Sequence, residues 1–139
     1  MQAIDLGGLT PEMFLRRHWQ KRPLLARAAW RPGGDLPDLA RLQALASRDD
    51  VESRRVLRRG ARWTVQHGPF PRHGARRLPA RNWTLLVNGV DHHDAAVEQL
   101  LRAFAFLPQA RIDDVMVSYA APGGGVGPHE DSYDVFLLQ

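Results

Sequence analysis

A turn that contains four glycines lies between two β-prone runs near the C-terminal end, and this feature constrains the fold more than any other. Residues 115–119 predict a strand, residues 122–128 a tight turn, and residues 135–138 a second, apolar strand. Glycine adopts backbone conformations that other residues avoid, so this turn can bend sharply and approach a ligand closely. The pattern predicts β structure with a tight turn at this end of the chain.

Two residues of metal-ligating type, His129 and Asp131, follow the turn directly. Side chains at positions i and i+2 of a strand point to the same face, so both can point into a barrel while Glu130 points away. Such a pair is two-thirds of the two-histidine, one-carboxylate triad, which binds Fe(II) and leaves neighbouring positions open. An H-x-D triplet alone is a weak signal, because six histidines produce chance matches. A β-turn with a surface His and Asp stays the alternative, although the apolar run that follows favours an inward position.

The same spacing recurs at His92, His93 and Asp94, where we predict a structural role. A strong helix begins here, with Asp91 or Asp94 as its N-cap, and a helix N-terminus favours a carboxylate. Positions i and i+2 of a helix do not share a face, so this triplet does not present both groups to one ion. The helix has an apolar stripe and a proline that stops it, at Val97, Leu100, Leu101, Phe104 and Pro108.

Cap residues and apolar spacing predict the remaining elements. Thr10 caps a first helix that has Pro11 at its first position, continues through residues 18–20 and ends at Pro23. Further along, the sequence predicts a short strand at residues 24–25, a helix near 39–46, a hairpin over 51–66 with its turn at 58–60, and a β-prone run at 83–90. Together these elements indicate a mixed α+β protein.

Composition excludes several classes of function. The 139 residues leave room for one domain. The absence of cysteine excludes zinc ribbons, iron–sulfur clusters and thiolate nucleophiles, and Lys21, the only lysine, stands outside any phosphate-loop motif. The N-terminus lacks the pattern of a secretory signal, and no apolar stretch approaches membrane-spanning length. We therefore expect a cytoplasmic location and no membrane partner.

Residues 122–139 resemble the iron-binding segment of the bacterial JmjC-type ribosomal oxygenases, the ribosomal-protein arginine hydroxylases of the cupin superfamily. Four upstream segments also resemble that family, so the similarity spans nearly the whole chain: residues 18–23, 66–70, 82–87 and 111–118. The resemblance implies an α+β fold in which N-terminal helices and strands lead into an incomplete double-stranded β-helix, the cupin or jelly-roll barrel of JmjC type. It also implies an N-terminal helix and strand portion, residues 1–90, and a barrel portion, residues 91–139, truncated after the H-x-D strand.

The resemblance further implies a site and a reaction. His129 and Asp131 would be the first two iron ligands, Ser118 would line the pocket for 2-oxoglutarate or substrate, and Tyr133 is a further pocket candidate. The family couples the oxidative decarboxylation of 2-oxoglutarate at Fe(II) to hydroxylation of an arginine β-carbon in a large-subunit ribosomal protein, the sixteenth. The implied partners are a ribosomal protein substrate and, in the full-length family, a second copy in a homodimer.

The chain departs from the family pattern at its C-terminal end. Family members continue with a basic residue that pairs the distal carboxylate of 2-oxoglutarate, a second His ligand, and dimerisation and winged-helix regions. Two ligands hold iron poorly, so we predict that this polypeptide alone is catalytically inactive. An interrupted barrel also leaves an apolar edge unpaired, which predicts association or poor solubility.

Two other functions stay open. One is a basic RNA- or ribosome-binding module without catalysis, because arginines cluster around the predicted hairpin and in the loop after it. A solvated arginine-rich surface is favoured over that module, since neither a stacking platform nor a basic helix stripe is evident. The other is a cupin that uses Mn(II) or Ni(II) for non-oxidative chemistry or sugar binding. The arginines concerned are Arg54, Arg55, Arg58, Arg59, Arg62, Arg72, Arg76, Arg77 and Arg81, with Trp63 beside the hairpin.

Overall fold

The computed structural model describes residues 4–71 and 78–139, so Arg72, Arg76 and Arg77 lie outside the described residues. In these ranges the order of elements is α1 (Pro11–Arg17), α2 (Leu39–Leu45), β1 (Ser53–Arg59), β2 (Arg62–His67), β3 (Trp83–Val87), α3 (Ala95–Arg102) and β4 (Val117–Ala120). Two short 3-10 turns occur at Val90–His92 and Gln109–Arg111. Within the described ranges, no helix has the length and apolar character needed to cross a membrane.

A side chain caps the start of each helix, and the caps at Thr10 and Asp94 are ones that the sequence predicts. The Thr10 hydroxyl accepts a hydrogen bond from the Met13 N–H at 3.2 Å and caps α1, which has a proline in its first turn. The Asp38 carboxylate caps α2 by accepting from the Arg41 N–H at 2.9 Å. Asp94 caps α3 in the same way. The helix starts predicted near residues 10, 39 and 94 are therefore confirmed.

The first helix ends earlier than predicted. α1 stops at Arg17, with His18 as its C-cap. Gln20 has a φ of 55°, in the left-handed region, so a right-handed helix cannot include it. The prediction that residues 18–20 extend the helix is wrong. The strand predicted at residues 24–25 does not form either, since neither residue pairs with a described strand.

The four strands form one antiparallel sheet in the order β2-β1-β3-β4. β1 and β2 make the predicted hairpin, in which Arg59 lies opposite Arg62 and Gly60 has a φ of 60°. Such a positive φ at a two-residue turn suits the twist of a hairpin. β3 is a central strand, and all five of its residues are buried. The hairpin predicted over residues 51–66 and the strand predicted within 83–90 are confirmed.

Side-chain alternation gives the sheet two faces with different surroundings. On one face, Trp83, Leu85 and Val87 of β3 pack in the core with residues of α2 and α3 such as Leu42 and Val97. The other face, which we call the open face, carries the residues at the alternate positions. Pairing across β2, β1, β3 and β4 assigns to it Val65, Val56, Thr84 and Ala120 in one row and His67, Arg54, Leu86 and Ser118 in the next.

Residues 135–138 do not form the predicted second strand. They have no ladder partner among the described strands, and local ring packing holds them instead. The Phe136 ring centroid lies 4.5 Å from that of Phe104 and 5.8 Å from that of Trp19. The strand predicted at residues 115–119 does form, as β4, shifted by two residues at its start.

One sheet joins residues from both sides of the predicted division at residue 90. β3 precedes that point, β4 follows it, and the two strands pair from Thr84 with Ala120 to Val87 with Val117. The division into residues 1–90 and 91–139 stays a prediction. The mixed α+β class is confirmed.

Candidate metal site

The glycine turn lies so close to β3 that side chains are excluded from it. The Ala121 N–H donates to the Trp83 carbonyl at 3.0 Å, and the Gly124 N–H donates to the Ala121 carbonyl at 2.7 Å. A Cβ added at Gly124 would lie only 2.3 Å from the Trp83 carbonyl oxygen. Gly123 has a φ of 73°, a conformation in which an L side chain is strained. The turn therefore needs glycine at these two positions.

Trp63 of β2 lies beneath the second half of the turn. Cβ atoms added at Gly125 and Gly127 would lie 3.6 Å and 3.7 Å from its ring, which are ordinary contact distances. Gly127 has a φ of 78°, so the chain changes direction there, two residues before His129. The hairpin and the glycine turn together determine where the H-x-D segment begins.

His129 and Asp131 reach the same side of the chain. The Nε2 atom of His129 lies 3.7 Å from the Oδ2 atom of Asp131. The Nδ1 atom of His129 lies 3.0 Å from the Gly127 carbonyl oxygen, and that contact is a hydrogen bond when Nδ1 carries the proton. In this tautomer the Nε2 lone pair is free and faces the carboxylate. The side chains are 54% and 38% exposed, so both are open to an incoming ion.

His129 and Asp131 lie on the same side, as predicted, but strand alternation is not the reason. Residues 129–131 lie outside any strand, so strand alternation does not place them. The bond from His129 back to Gly127 is a local, turn-like contact, and it orients the imidazole.

The donor set suits a divalent metal. An imidazole nitrogen and a carboxylate oxygen are ligands of Fe(II) and related ions, with ligand bonds of about 2.1 Å. Two donor atoms 3.7 Å apart can bind the same ion, because this distance is shorter than the combined length of two metal–ligand bonds. A hydrogen bond from the second ring nitrogen to a backbone carbonyl is the usual support of a ligating histidine. Within residues 4–71 and 78–139, no group of three potential ligands comes together.

The second triplet has the structural role predicted for it. The Asp94 carboxylate accepts hydrogen bonds from the N–H groups of Ala96 at 3.0 Å and Val97 at 3.2 Å, and it pairs with the Arg41 guanidinium. These contacts occupy the carboxylate at the start of α3. His92 is 71% exposed and lies beside Asp91. The prediction that this triplet serves the helix is confirmed.

Ser118 and Tyr133 lie in different surroundings. Ser118 is on β4 opposite Leu86, with its side chain on the open face. Tyr133 follows Asp131 by two residues, and 71% of it is exposed. The structure thus brings His129 and Asp131 together, places Ser118 on the sheet and leaves Tyr133 at the surface.

Sequence reasoning missed a set of polar atoms on the open face. The Nε atom of Arg54 and the Oγ1 atom of Thr84 are buried there without a hydrogen-bond partner among the described residues. The Oδ1 atom of Asn88, just after β3, is also buried without such a partner. Buried polar groups of this kind are satisfied by water or by a ligand. In the sequence, the polar residues at alternate positions of the β-prone run 83–90 could have indicated such a polar face.

The chain is similar to known proteins in both sequence and structure. Residues 99–139 match the JmjC domain family. The chain is 44% identical over 126 residues to the ribosomal protein uL16 3-hydroxylase of Escherichia coli K12, a match that covers 91% of this chain and 33% of that protein. It is 38% identical over 138 residues to a protein of Haemophilus influenzae named "Probable ribosomal oxygenase", with 94% and 32% covered. The chain therefore spans about a third of the length of these curated relatives.

Solved structures agree with the sequence matches. The E. coli ribosomal oxygenase YcfD superposes with a TM-score of 0.82 at 41% identity, over 94% of this chain and 35% of that one. YcfD in complex with cobalt and 2-oxoglutarate superposes with a TM-score of 0.81 at 41% identity, over 92% and 35%. The predicted fold class is confirmed by these superpositions. In sequence and in fold, this chain is similar to the JmjC ribosomal oxygenases over about a third of their length.

Proposed function

We propose that this chain is the portion of an Fe(II)- and 2-oxoglutarate-dependent protein hydroxylase that contributes His129 and Asp131 to the metal. The observation that carries the proposal is the approach of the His129 Nε2 atom to Asp131 at 3.7 Å, with Nδ1 held at the Gly127 carbonyl. This arrangement directs one lone pair and one carboxylate toward a common point. The names of the relatives supply the substrate class, a ribosomal protein of the uL16 type. The family resemblance supplies the target, an arginine side chain.

The residues of this chain hold the metal ion, the co-substrate and the substrate in position for the reaction. When bound, iron and 2-oxoglutarate supply the oxidation, in which one atom of O₂ becomes the new hydroxyl and the other enters succinate as CO₂ leaves. His129 and Asp131 anchor the ion at the end of the glycine turn. Ser118 and the buried polar atoms of the open face offer hydrogen bonds to the co-substrate or the substrate. Tyr133, which lies at the surface, stays a candidate for contact with either. Selectivity for one carbon then follows from how closely the substrate is held.

We also propose that the chain alone does not turn over. Two protein ligands hold an ion weakly, and an unclamped co-substrate dissociates readily. The cytoplasmic location and the homodimer of the full-length family stay predictions.

Metal binding tests the two ligands directly. Co(II) is added to the chain and followed by its visible absorption and by calorimetry, without any turnover. We expect one weak site, whose affinity falls more than tenfold in His129→Ala and in Asp131→Asn, because each variant removes one of two ligands. His92→Ala is the matched control and should bind as the unaltered chain does. Equal loss in the control, or unchanged binding in His129→Ala, would contradict the proposed ligands.

Turnover tests the predicted inactivity. The chain is incubated with Fe(II), 2-oxoglutarate, ascorbate and uL16, and succinate is measured. We expect none above the level of the His129→Ala variant. Succinate production by the unaltered chain would show that a third ligand is unnecessary.

A further inference from the structure

Charge is strongly segregated along this chain. Residues 53–90 contain nine of the 19 basic residues, all of them arginine, and none of the 15 acidic residues. The rest of the chain has ten basic and 15 acidic residues. The net charge of +4 is therefore the sum of a strongly cationic segment and an acidic remainder. Such asymmetry within a single domain is typical of a surface that binds a polyanion.

The hairpin tip concentrates this charge. Arg59 and Arg62 lie directly opposite each other at the last pair of the β1–β2 ladder, and Arg58 is next to them. All three are exposed, and no carboxylate pairs with them within the described residues. Residues 1–3 and 72–77 contain no Asp or Glu that could do so. Like charges directly opposite on neighbouring strands are destabilising, so the tip carries a cost that an anion would remove.

The tip is held in place by the rest of the fold. The Arg58 N–H donates to the Asn82 carbonyl at 2.8 Å, and the Arg58 Nε donates to the Gly60 carbonyl at 3.0 Å. The Arg58 guanidinium also lies 5.4 Å from the centroid of the Trp63 ring, which packs under the glycine turn. The positions of the charges are therefore partly fixed before any partner arrives, which lowers the entropic cost of binding.

Two other arginines of the hairpin have different surroundings. The Arg55 guanidinium lies 4.1 Å from the centroid of the Phe70 ring, and burial lowers its pKa. Arg54 is half-buried on the open face. These side chains are committed to the fold, which leaves Arg58, Arg59 and Arg62 as the solvent-facing group. We call these three residues the arginine tip.

We propose that the arginine tip binds the phosphodiester backbone of a nucleic acid. Guanidinium groups pair with phosphate oxygens through two parallel hydrogen bonds, and each of the three neighbouring groups can contact a phosphate of one strand. A basic, arginine-bearing protein substrate would be repelled by this surface, so the tip serves a partner other than that substrate. The inference does not rest on the proposed hydroxylase function, since no metal ligand belongs to the arginine tip.

Fluorescence anisotropy with a labelled single-stranded RNA of 20 nucleotides tests the proposal. We expect binding that weakens steeply with salt. Replacing the arginine tip, in Arg58→Gln/Arg59→Gln/Arg62→Gln, should weaken binding by tenfold or more and reduce the slope of log K against log salt by about 2. The matched control is Arg27→Gln/Arg31→Gln/Arg111→Gln, which removes the same charge from exposed arginines outside the cationic segment. It should bind within twofold of the unaltered chain.

Three outcomes would overturn the proposal. An equal loss of RNA affinity in both triple variants would show a general effect of net charge. The absence of measurable RNA binding at low salt would show that the arginine tip is not a nucleic-acid site. Binding of poly-glutamate as tightly as RNA would assign the surface to acidic proteins. A DNA strand of the same sequence shows which nucleic acid is preferred, and binding of either strand at the arginine tip supports the phosphate contact.

A single substitution separates binding from folding. Arg59→Glu converts the opposed like charges into an ion pair with Arg62, so the melting temperature should rise while RNA affinity falls. A merely structural role for Arg59 would not move these two quantities in opposite directions. A fall in both would contradict the proposal.

Discussion

The Oδ1 atom of Asp91 accepts a hydrogen bond from the backbone N–H of Val115 at 2.8 Å, across 24 residues of sequence. A second bond runs in the reverse sense, since the Asp114 carboxylate accepts from the Gly89 N–H at 2.6 Å. The Val90 N–H also donates to the Val115 carbonyl at 3.0 Å. These three bonds join the end of β3 to the segment that leads into β4. They hold the strand that carries Ser118 in register with the centre of the sheet.

Loss of the Asp91 carboxylate should loosen this junction. Asp91→Ala leaves the Val115 N–H without its acceptor in a largely buried position, and we expect a loss of about 1–3 kcal/mol in the free energy of unfolding. Asp91→Asn keeps an acceptor oxygen and should lose less. Urea unfolding of the two variants measures the difference. If both variants lost the same amount, the carboxylate charge and not the hydrogen bond would carry the effect.

Adjacent glycines of the turn should respond differently to the same substitution. Gly124→Ala places a Cβ against the Trp83 carbonyl, so the turn must move away from β3 at a cost of about 1–3 kcal/mol. Gly125→Ala makes only an ordinary contact with the Trp63 ring and should change stability by less than about 0.5 kcal/mol. Thermal unfolding and Co(II) affinity are measured on both. The close approach to β3 is unimportant if Gly124→Ala matches its neighbour in both measurements.

Phe136 should anchor the segment that follows Asp131. Its ring packs against those of Phe104, Trp19 and Phe14, so Phe136→Ala removes a half-buried apolar contact worth roughly 1–2 kcal/mol. Hydrogen exchange of the amides of residues 132–138 should then accelerate. Leu137→Ala is the control, because the Leu137 side chain is 79% exposed. Equal acceleration in both variants would argue against ring packing as the anchor.

The ion pair of Arg48 and Asp50 should give a small acid-dependent contribution to stability. Two hydrogen bonds, of 2.8 Å and 2.6 Å, join the guanidinium to the carboxylate and hold the pKa of Asp50 below its usual value. Since the folded-state pKa is depressed, the contribution is present above the unfolded value, near pH 4, and is lost as the pH falls through the folded value. Melting temperatures of the unaltered chain and of Asp50→Asn should differ at pH 6 and converge near pH 2. A difference independent of pH would exclude this linkage.

Local signals predicted most of the elements, because short-range chemistry determines them. Thr10 and Asp94 cap helices through their own side chains, and the hairpin follows from the Arg59-Gly60 turn flanked by alternating residues. Residue type and spacing singled out His129 and Asp131, whose side chains lie 3.7 Å apart, and their role as metal ligands stays a prediction. The relation to the ribosomal oxygenases was evident from motifs along nearly the whole chain.

The wrong predictions concern places where long-range contacts or a single dihedral angle determine the local structure. Nothing in the residue type of Gln20 requires its positive φ, which keeps it out of the helix predicted to include it. The strand expected at residues 135–138 depends on a pairing partner, and Phe136 instead finds aromatic neighbours more than 30 residues away. The polar residues of the run 83–90 are visible in the sequence, but the burial of their atoms was not predictable, since it depends on how four strands align.

The pairing of β3 with β4 also bears on how this protein unfolds. The JmjC match begins at residue 99, yet the first strand inside it completes a sheet whose other three strands lie before it. A boundary drawn from sequence families therefore cuts through one hydrogen-bonded sheet. Heating should melt the arginine-rich hairpin and β4 in one transition, and a peptide beginning at residue 99 should stay a random coil.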